Sequence, residues 1–354
     1  MAKKLFSIVI PAFNADKYIK QSIDSALEQT CQDFEMVIVD DGSTDQTGSI
    51  CDSYTKDDDR IKVFHRPHEG MISSRRFGVN QATGSWVIHL DADDLMKPEE
   101  LETISHKIDQ YGDKADCLIF NFELLMDNGQ EQVVRQVTGG GLIESEKLLT
   151  DKREVCLLVF SYPNFTTLWR KATKREFVGL DDLSPFYYLN YYGEDTFQTI
   201  ELIRHCNSFL FMTDILYQWR RHGANSTRAV NFPDNKVTYV RDEYVVNFLK
   251  EYYTKEDFDR YINRLRKYLY VSLVEVAVSR HSYSQKMQWF SQYGEQDFFR
   301  NCLAPSCGSF SFGGPGRKAL ELLEERKYRK LLFLCLKNKI VSMLKRQSVD
   351  SYIN

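Results

Sequence analysis

A short apolar segment that ends in a run of carboxylates constrains the fold of this chain more than any other feature. Residues 86–90 read WVIHL, follow Gly84-Ser85 and run directly into Asp91-Ala92-Asp93-Asp94. A continuous apolar run of this length between turn residues is typical of a strand buried inside a parallel sheet. Open α/β sheets bind their ligands just beyond the carboxyl ends of such strands, so we expect a functional site at Asp91.

The carboxylates after this segment have two interpretations. Asp91 and Asp93 stand two residues apart on a turn and can face one point, where two like charges need a cation or a proton between them. Alternatively, the carboxylates solvate the end of the strand and cap a helix that begins near Pro98. The segment alone does not separate a metal site from a cap.

The first 125 residues alternate between strand and helix patterns. Apolar, β-branched segments predict the strands, and apolar residues at helical spacing predict the helices between them. The predicted strands are residues 5–11, 34–39, 61–64, 86–90 and 118–122, and the predicted helices are residues 18–29, 44–54, 72–81 and 98–111. This order predicts an α/β fold, a mostly parallel sheet with helices on both faces. From residue 235 onward the periodicity is helical.

The composition of the chain excludes several classes of protein. The net charge of −4 argues against a general nucleic-acid binder. The start of the chain does not resemble a signal peptide, and no run reaches the roughly 18 apolar residues of a membrane-spanning helix. The eight cysteines are scattered without a C-x-x-C pair. We therefore expect reduced thiols in a cytoplasmic protein, and no zinc site.

The segment 317–346 is strongly basic. It carries ten Lys or Arg residues against three Glu, together with an apolar stretch at 331–336. A basic amphipathic helix of this kind can lie in the interface of an anionic membrane. The alternative is that its apolar side packs on the protein. We expect peripheral contact with a membrane surface.

Three strand ends converge on one edge of the predicted sheet. Together they carry groups that could bind the base and the phosphates of a nucleotide. The first two supply polar groups and apolar surface for a base, while the third, with Arg75, supplies partners for a diphosphate and a divalent cation. Neither a G-x-G-x-x-G nor a G-x-x-x-x-G-K-[ST] motif occurs, so neither a dinucleotide fold nor a P-loop is supported.

Three runs at these strand ends resemble family 2 glycosyltransferases with the GT-A fold. The runs are FSIVIPAFN at 6–14, VIVDDGSTD at 37–45 and HLDADD at 89–94. The resemblance is close over residues 5–105 and looser to about residue 228. It implies a catalytic domain over residues 1–230, with nucleotide-sugar binding in 1–125 and the acceptor side in 126–230. Residues 231–354 then form a helical C-terminal region.

The resemblance also implies a nucleotide-sugar donor, usually UDP-linked, and a bridging Mn²⁺ or Mg²⁺ ion. By position, Pro11, Phe13 and Asn14 would line the nucleotide pocket. Asp40 or Asp41 would take the edge of the base.

The same resemblance assigns the diphosphate end of the donor. Arg75 matches the basic residue that the family places near the donor, Asp91 would reach the ribose and the metal, and Asp93 would bind the metal directly. Arg76 departs from the family, many of whose members have Asn there. His222 lies where GT-A enzymes often have a histidine that completes the metal site, although it also suits a surface loop that binds phosphate oxygens.

A Gly193-Glu194-Asp195 run precedes a helical pattern. Its acidic residues are typical of a helix N-cap. The run also resembles the family's Gly-Glu-Asp motif, which implies that Asp195 is the general base and that Glu194 positions the acceptor. The aromatic residues just before it, 186–192, suit either the core or stacking on an acceptor sugar.

The resulting hypothesis is an inverting, metal-dependent glycosyltransferase that acts on a saccharide or a lipid-linked saccharide at the inner face of the cell membrane. Bacterial capsule, exopolysaccharide or O-antigen assembly is the setting that the resemblance implies. Two other classes are weighed against it: an inactive nucleotide-sugar-binding scaffold, and a sugar nucleotidyltransferase, which needs a Gly-rich basic loop that residues 11–16 do not provide. A homodimer through the helical region stays open.

Overall fold

The computed structural model describes residues 5–127, 132–136, 142–187, 193–221, 235–308 and 313–344. The chain divides into two compact units, Met1–Ala229 and Val230–Asn354.

The first unit begins with a parallel sheet. The elements are β1 (Phe6–Ala12), α1 (Ile19–Leu27), β2 (Phe34–Asp40), α2 (Thr47–Tyr54), β3 (Ile61–His65), α3 (Met71–Gln81) and β4 (Trp86–His89). Strand β1 lies between β2 and β4, and Phe6 is in register with both Phe34 and Trp86. The carboxyl ends of these strands therefore meet at one edge.

Both faces of this sheet are covered. Successive apolar side chains of each strand point to opposite faces, so each face needs a layer packed against it. Ile8 and Ile10 belong to the large core that includes the buried side chains of α1. Val9 points to the other face, where it packs with Val79 of α3. A Cβ atom at Gly78 would lie 2.5 Å from a Val9 methyl group, so the absence of a side chain lets α3 approach β1 closely.

The second half of the sheet contains both parallel and antiparallel strands. It contains β5 (Leu95–Met96), α4 (Glu100–Tyr111), β6 (Cys117–Asp127), β7 (Gln132–Gln136), β8 (Lys147–Leu149), α5 (Lys152–Val159), β9 (Lys171–Lys174), α6 (Asp195–His205) and β10 (Phe209–Arg221). In the described residues the strand order is β3-β2-β1-β4-β9-β6-β10-β5, with β7 on β6 and β8 on β10. Strand β9 runs antiparallel to both of its neighbours, β4 and β6, whereas β6 and β10 are parallel.

These features confirm the predicted α/β class. The predicted strand at 118–122 corresponds to β6. It does not pair with β4, because β9, which the predicted strands do not include, lies between them.

The second unit is helical, as predicted. Its helices are α7 (Asn235–Leu249), α8 (Lys255–Val278), α9 (Tyr283–Gly294), α10 (Gly314–Glu324) and α11 (Tyr328–Leu344). Thr254 and Ser282 begin α8 and α9 with capping boxes, each side-chain oxygen accepting a backbone N–H three residues on. No helix within the described residues is both long and apolar enough to span a bilayer.

The apolar side chains of α11 lie on two sides of the helix. Leu331 and Cys335 are buried, and the helix packs on α8 and α10. Phe333 is 71% exposed and Leu336 is 37% exposed. Part of the apolar stretch thus packs on the protein, and part of it faces outward beside basic side chains.

Candidate active site at the carboxyl ends of the parallel strands

The end of β1 presents an exposed aromatic ring on a rigid turn. Pro11 is buried within the strand, and Phe13 is 44% exposed and stacks on His68 with 4.1 Å between ring centroids. Asn14 has a φ of +49°, a left-handed conformation that Asn tolerates better than most residues. Its backbone N–H donates to Ser43 Oγ at 3.0 Å, and its side-chain oxygen accepts the Thr44 N–H at 2.8 Å. The ends of β1 and β2 are therefore fastened together.

The two aspartates after β2 are both buried and both organise loops. Asp40 accepts the backbone N–H of Ser43 at 3.0 Å and lies 2.9 Å from His65 Nδ1. Burial raises the pKa of Asp40, but the hydrogen bonds from Ser43 and His65 outweigh it and hold the net pKa below its ordinary value. Asp41 accepts the N–H groups of Glu69 and Gly70 at 3.0 and 2.9 Å, which fixes the start of α3.

Arg75 is the centre of the site. Its side chain is 1% exposed, and its Nη2 donates to Asp91 Oδ1 at 2.9 Å. Its Nη1 donates to Asp195 Oδ1 and lies 3.6 Å from Glu194 Oε1. One guanidinium from α3 thus joins the end of β4 to the start of α6, and three predicted site residues come together around a fourth.

Two of the carboxylates around Arg75, Asp91 and Glu194, have raised pKa values, because burial disfavours their charged forms. Burial, with the charges of Asp195 and Asp93, raises the pKa of Asp91 to about 6, although Arg75 opposes the shift. Burial and the charge of Asp195 raise the pKa of Glu194 to about 8, again against Arg75. The site therefore favours the neutral form of Glu194 more than water does.

Neither acidic residue before α6 acts as a side-chain helix cap. Glu194 occupies the N-cap position, but its side chain accepts no capping hydrogen bond. Asp195 is the first helical residue, and its carboxylate turns to Arg75. Their negative charges suit the positive end of the helix dipole while both side chains point toward the strand ends.

The third carboxylate of the β4 turn has a different role from the first two. Asp94 is 1% exposed and accepts the Tyr217 hydroxyl at 2.9 Å and the backbone N–H of Arg220 at 2.7 Å. Tyr217 in turn accepts the N–H of Asp91 at 3.2 Å. Asp94 therefore fixes β10 against the turn that carries Asp91. Sequence reasoning did not find Tyr217 or Arg220, because their partner lies more than 120 residues earlier.

Two carboxylates of the turn are candidate ligands for a metal ion. Asp91 and Asp93 are both partly exposed, and the turn is held by Arg220 Nε, which donates to the Asp93 carbonyl oxygen at 2.8 Å. No group of three or more His, Cys, Asp or Glu within the described part of the chain could hold a metal ion. Mg²⁺ in phosphate sites commonly takes only one or two carboxylates and completes its shell with phosphate oxygens and water, so this donor pair fits. His222, the predicted third ligand, lies outside the described residues.

The aromatic cluster before α6 is described only in part. Phe186 stacks on Phe197, which is buried, with 4.4 Å between ring centroids. Phe186 is itself only partly buried, so it packs against the core without being enclosed in it. Tyr188, Tyr191 and Tyr192 lie outside the described residues.

Comparison with known proteins places the site in a family context. Residues 7–177 match the family model described as Glycosyl transferase family 2. The chain is similar to glycosyltransferase GlyG of Streptococcus pneumoniae, with 34% identity over 120 residues, 34% of this chain and 39% of that protein. It is also similar to the uncharacterized glycosyltransferase EpsJ of Bacillus subtilis, with 35% identity over 106 residues, 30% of this chain and 31% of that protein.

Solved structures show the same fold. The chain resembles S. aureus TarS 1–349 in complex with UDP-GlcNAc, with a TM-score of 0.65 and 19% identity over 95% of this chain and 91% of that one. At this identity the likeness concerns the fold alone. The chain spans well under half of the length of the two relatives named above.

Proposed function

We propose that this chain, whose residues 7–177 form a glycosyltransferase family 2 domain, transfers a sugar from a nucleotide-sugar to a hydroxyl group of a saccharide acceptor with inversion at the anomeric carbon. The observation that carries the proposal is the convergence of Asp91 and Asp195 on Arg75. A donor-side carboxylate and a candidate base from a distant helix are held within the reach of one guanidinium, at the sheet edge where α/β folds bind ligands.

We assign the nucleotide to the ends of β1 and β2. Phe13 offers an exposed apolar face for a base, and Pro11 and Asn14 shape the turn beside it. Asp40 or Asp41 would meet the edge of the base. UDP is the nucleotide that we favour, because the resemblance implies it and the similar TarS structure contains UDP-GlcNAc.

We assign the diphosphate to the β4 turn. Asp91 and Asp93 would hold a Mn²⁺ or Mg²⁺ ion, with His222 as the proposed further ligand. When bound, such an ion offsets the charge that develops on the departing nucleoside diphosphate. Arg75 is always charged and adds positive charge beside Asp91.

The chemistry that we assign to α6 is proton removal. A sugar hydroxyl is a poor nucleophile, and Asp195 would take its proton as the oxygen attacks the anomeric carbon and the bond to the diphosphate oxygen breaks. Arg75 orients the Asp195 carboxylate. Glu194, whose pKa is raised by burial and by the charge of Asp195, lies beside Asp195 and would position the acceptor by a hydrogen bond to a second oxygen.

We further propose a lipid-linked acceptor at the inner face of a bacterial membrane, in capsule, exopolysaccharide or O-antigen assembly. The support is α11, where exposed Phe333 and Leu336 lie next to exposed Lys330 and Lys337. Apolar side chains flanked by lysines are the pattern of helices that rest on anionic lipid.

A thermal-shift panel tests the donor assignment. UDP-, GDP-, dTDP- and CMP-sugars are each added with Mn²⁺ and with EDTA. We expect stabilisation by one nucleotide class, dependent on Mn²⁺ and lost in Asp93→Ala. Absence of stabilisation by every donor, together with absence of turnover, would overturn the proposal in favour of a scaffold protein.

A further inference from the structure

Two consecutive arginines of α3 contact the same distant helix. Arg75 reaches Asp195 at the start of α6, and Arg76 reaches Glu201 on the same helix. Arg76 Nη1 donates to Glu201 Oε1 at 2.8 Å, and the residues are 7% and 1% exposed. This buried ion pair is not used by the chemistry proposed above, and Arg76 is where the chain departs from many members of its family.

The Arg76–Glu201 pair belongs to a closed set of hydrogen bonds. The backbone N–H of Asp181 donates to the same Glu201 oxygen at 2.8 Å, and Arg76 Nη2 donates to the Asp181 carbonyl oxygen. The Asp181 carboxylate receives Arg204 at 2.9 Å from the last turn of α6. The helix is thus held to α3 directly and through the loop at residue 181.

Two points of attachment constrain a helix more than one. Asp195 and Glu201 are six residues apart, which corresponds to about 9 Å along the axis. The contact between Arg75 and Asp195 holds only the first turn of α6, whose buried residues also pack within the unit. A second contact further along fixes both its rotation and its translation against α3, and with them the position of the Asp195 carboxylate.

Catalysis is more sensitive than folding to such a constraint. A displacement of about 1 Å in a reacting group can cost roughly 100-fold in rate. A buried ion pair, in contrast, often contributes little net stability, because the cost of removing its charges from water offsets their attraction. We therefore expect this pair to matter more for the position of the catalytic groups than for the stability of the fold.

We propose that Arg76 and Glu201 are positioning residues that set Asp195 against Arg75 and Asp91. The inference rests on the proposed role of Asp195 as the base. The pair does not touch substrate, and it acts by holding α6.

The double variant Arg76→Met/Glu201→Gln tests this. It removes both charges at once, so no buried charge is left alone, and the glutamine oxygen still accepts the Asp181 N–H. We expect a melting temperature close to that of the wild type, a Kd for UDP with Mn²⁺ within about threefold, and a kcat at least tenfold lower at unchanged donor KM. A kcat within twofold of the wild type would overturn the proposal.

Three further variants define the effect. Arg76→Lys keeps the positive charge and should retain most of the wild-type kcat. Glu201→Asp keeps both charges but shortens the side chain, and it should lower kcat without unfolding the protein, which covers the case of an unstable double variant. Lys147→Gln removes an exposed cation of the same unit, on β8, and should leave kcat unchanged.

Hydrogen exchange tests the positioning role without relying on the proposed activity. In the unliganded double variant, amides of the first turn of α6 should exchange about tenfold faster than in the wild type, while those of β1 and β4 should not change. Absence of turnover in the wild type would refute the proposed function. Unchanged exchange in α6 would refute the positioning role, whatever the activity.

Discussion

Arg75 Nη2 lies 2.9 Å from Asp91 Oδ1, while the other terminal nitrogen of the same guanidinium donates to Asp195. Asp91 follows β4, and Asp195 begins α6 more than 100 residues later. The donor side and the acceptor side of the proposed reaction therefore share one cation.

Replacing Asp195 by Asn should stop transfer without affecting the donor. The amide keeps the size of the side chain but cannot accept a proton, so we expect a loss of at least about 100-fold in kcat at a normal Kd for UDP with Mn²⁺. Asp182→Asn, a change at an exposed carboxylate of the same unit, serves as the control. Near-normal turnover by Asp195→Asn would remove this residue from the mechanism.

Replacing Arg75 by Met should destabilise the first unit. The change leaves Asp91, Glu194 and Asp195 clustered in a poorly solvated site without their shared cation, and breaking a buried ion pair from one side costs about 3–5 kcal/mol. Urea unfolding measures the loss. Lys147→Met removes one partner of an exposed pair and should leave the midpoint nearly unchanged. Equal midpoints for the two variants would show that Arg75 does not hold the cluster together.

Glu194 should make stability fall as pH rises. Its pKa is raised from 4.5 to about 8 in the folded protein, so between these values the folded state binds a proton that the unfolded state has lost. Its stabilising effect is complete below about pH 4.5 and disappears as pH approaches 8. Glu194→Gln should therefore gain stability relative to the wild type over this range, by at most about 1.4 kcal/mol per pH unit.

Unfolding curves of both proteins at pH 5, 6, 7 and 8 measure this difference. Glu144→Gln, at an exposed carboxylate for comparison, should run parallel to the wild type across the series. A difference between Glu194→Gln and the wild type that stays constant with pH would contradict the raised pKa.

Neutralising two lysines of α11 should weaken membrane binding. Each lysine near an anionic surface contributes about 1 kcal/mol, so Lys330→Gln/Lys337→Gln should bind phosphatidylglycerol vesicles roughly 10- to 30-fold more weakly. Flotation at low and high salt measures the effect, which should shrink as salt screens the charges. Lys255→Gln/Lys267→Gln, at exposed positions on α8, is the matched control. Equal binding by all three proteins would remove α11 from the membrane hypothesis.

The sequence was most informative where the local pattern decides the structure. The strands from β1 to β4 are buried on both faces, so their apolar runs and the polar residues that end them are visible without any knowledge of distant partners. Asp40 and Asp91 could be placed at the sheet edge for the same reason, whereas Arg75, on α3, was placed there by the family resemblance.

Contacts between residues that are far apart in the chain could not be predicted from the sequence. Strand β9 is a four-residue segment with two lysines, and only its neighbours on both sides make it a central strand. The bond between Asp94 and Tyr217, and the pair formed by Arg76 and Glu201, likewise depend on how separate parts of the chain meet. A single sequence carries no local pattern for such contacts.

The position of β9 also bears on how the catalytic unit could be divided. The strand lies within the segment predicted to be the acceptor side, yet it pairs with β4 of the predicted donor side. A fragment that ends at residue 125 would keep the residues proposed to bind the nucleotide but expose the backbone N–H and C=O groups of β4 as an open edge, which invites aggregation. The proposed donor site is therefore not a detachable module, and exchanging this half between relatives should require that β9 be transplanted with it.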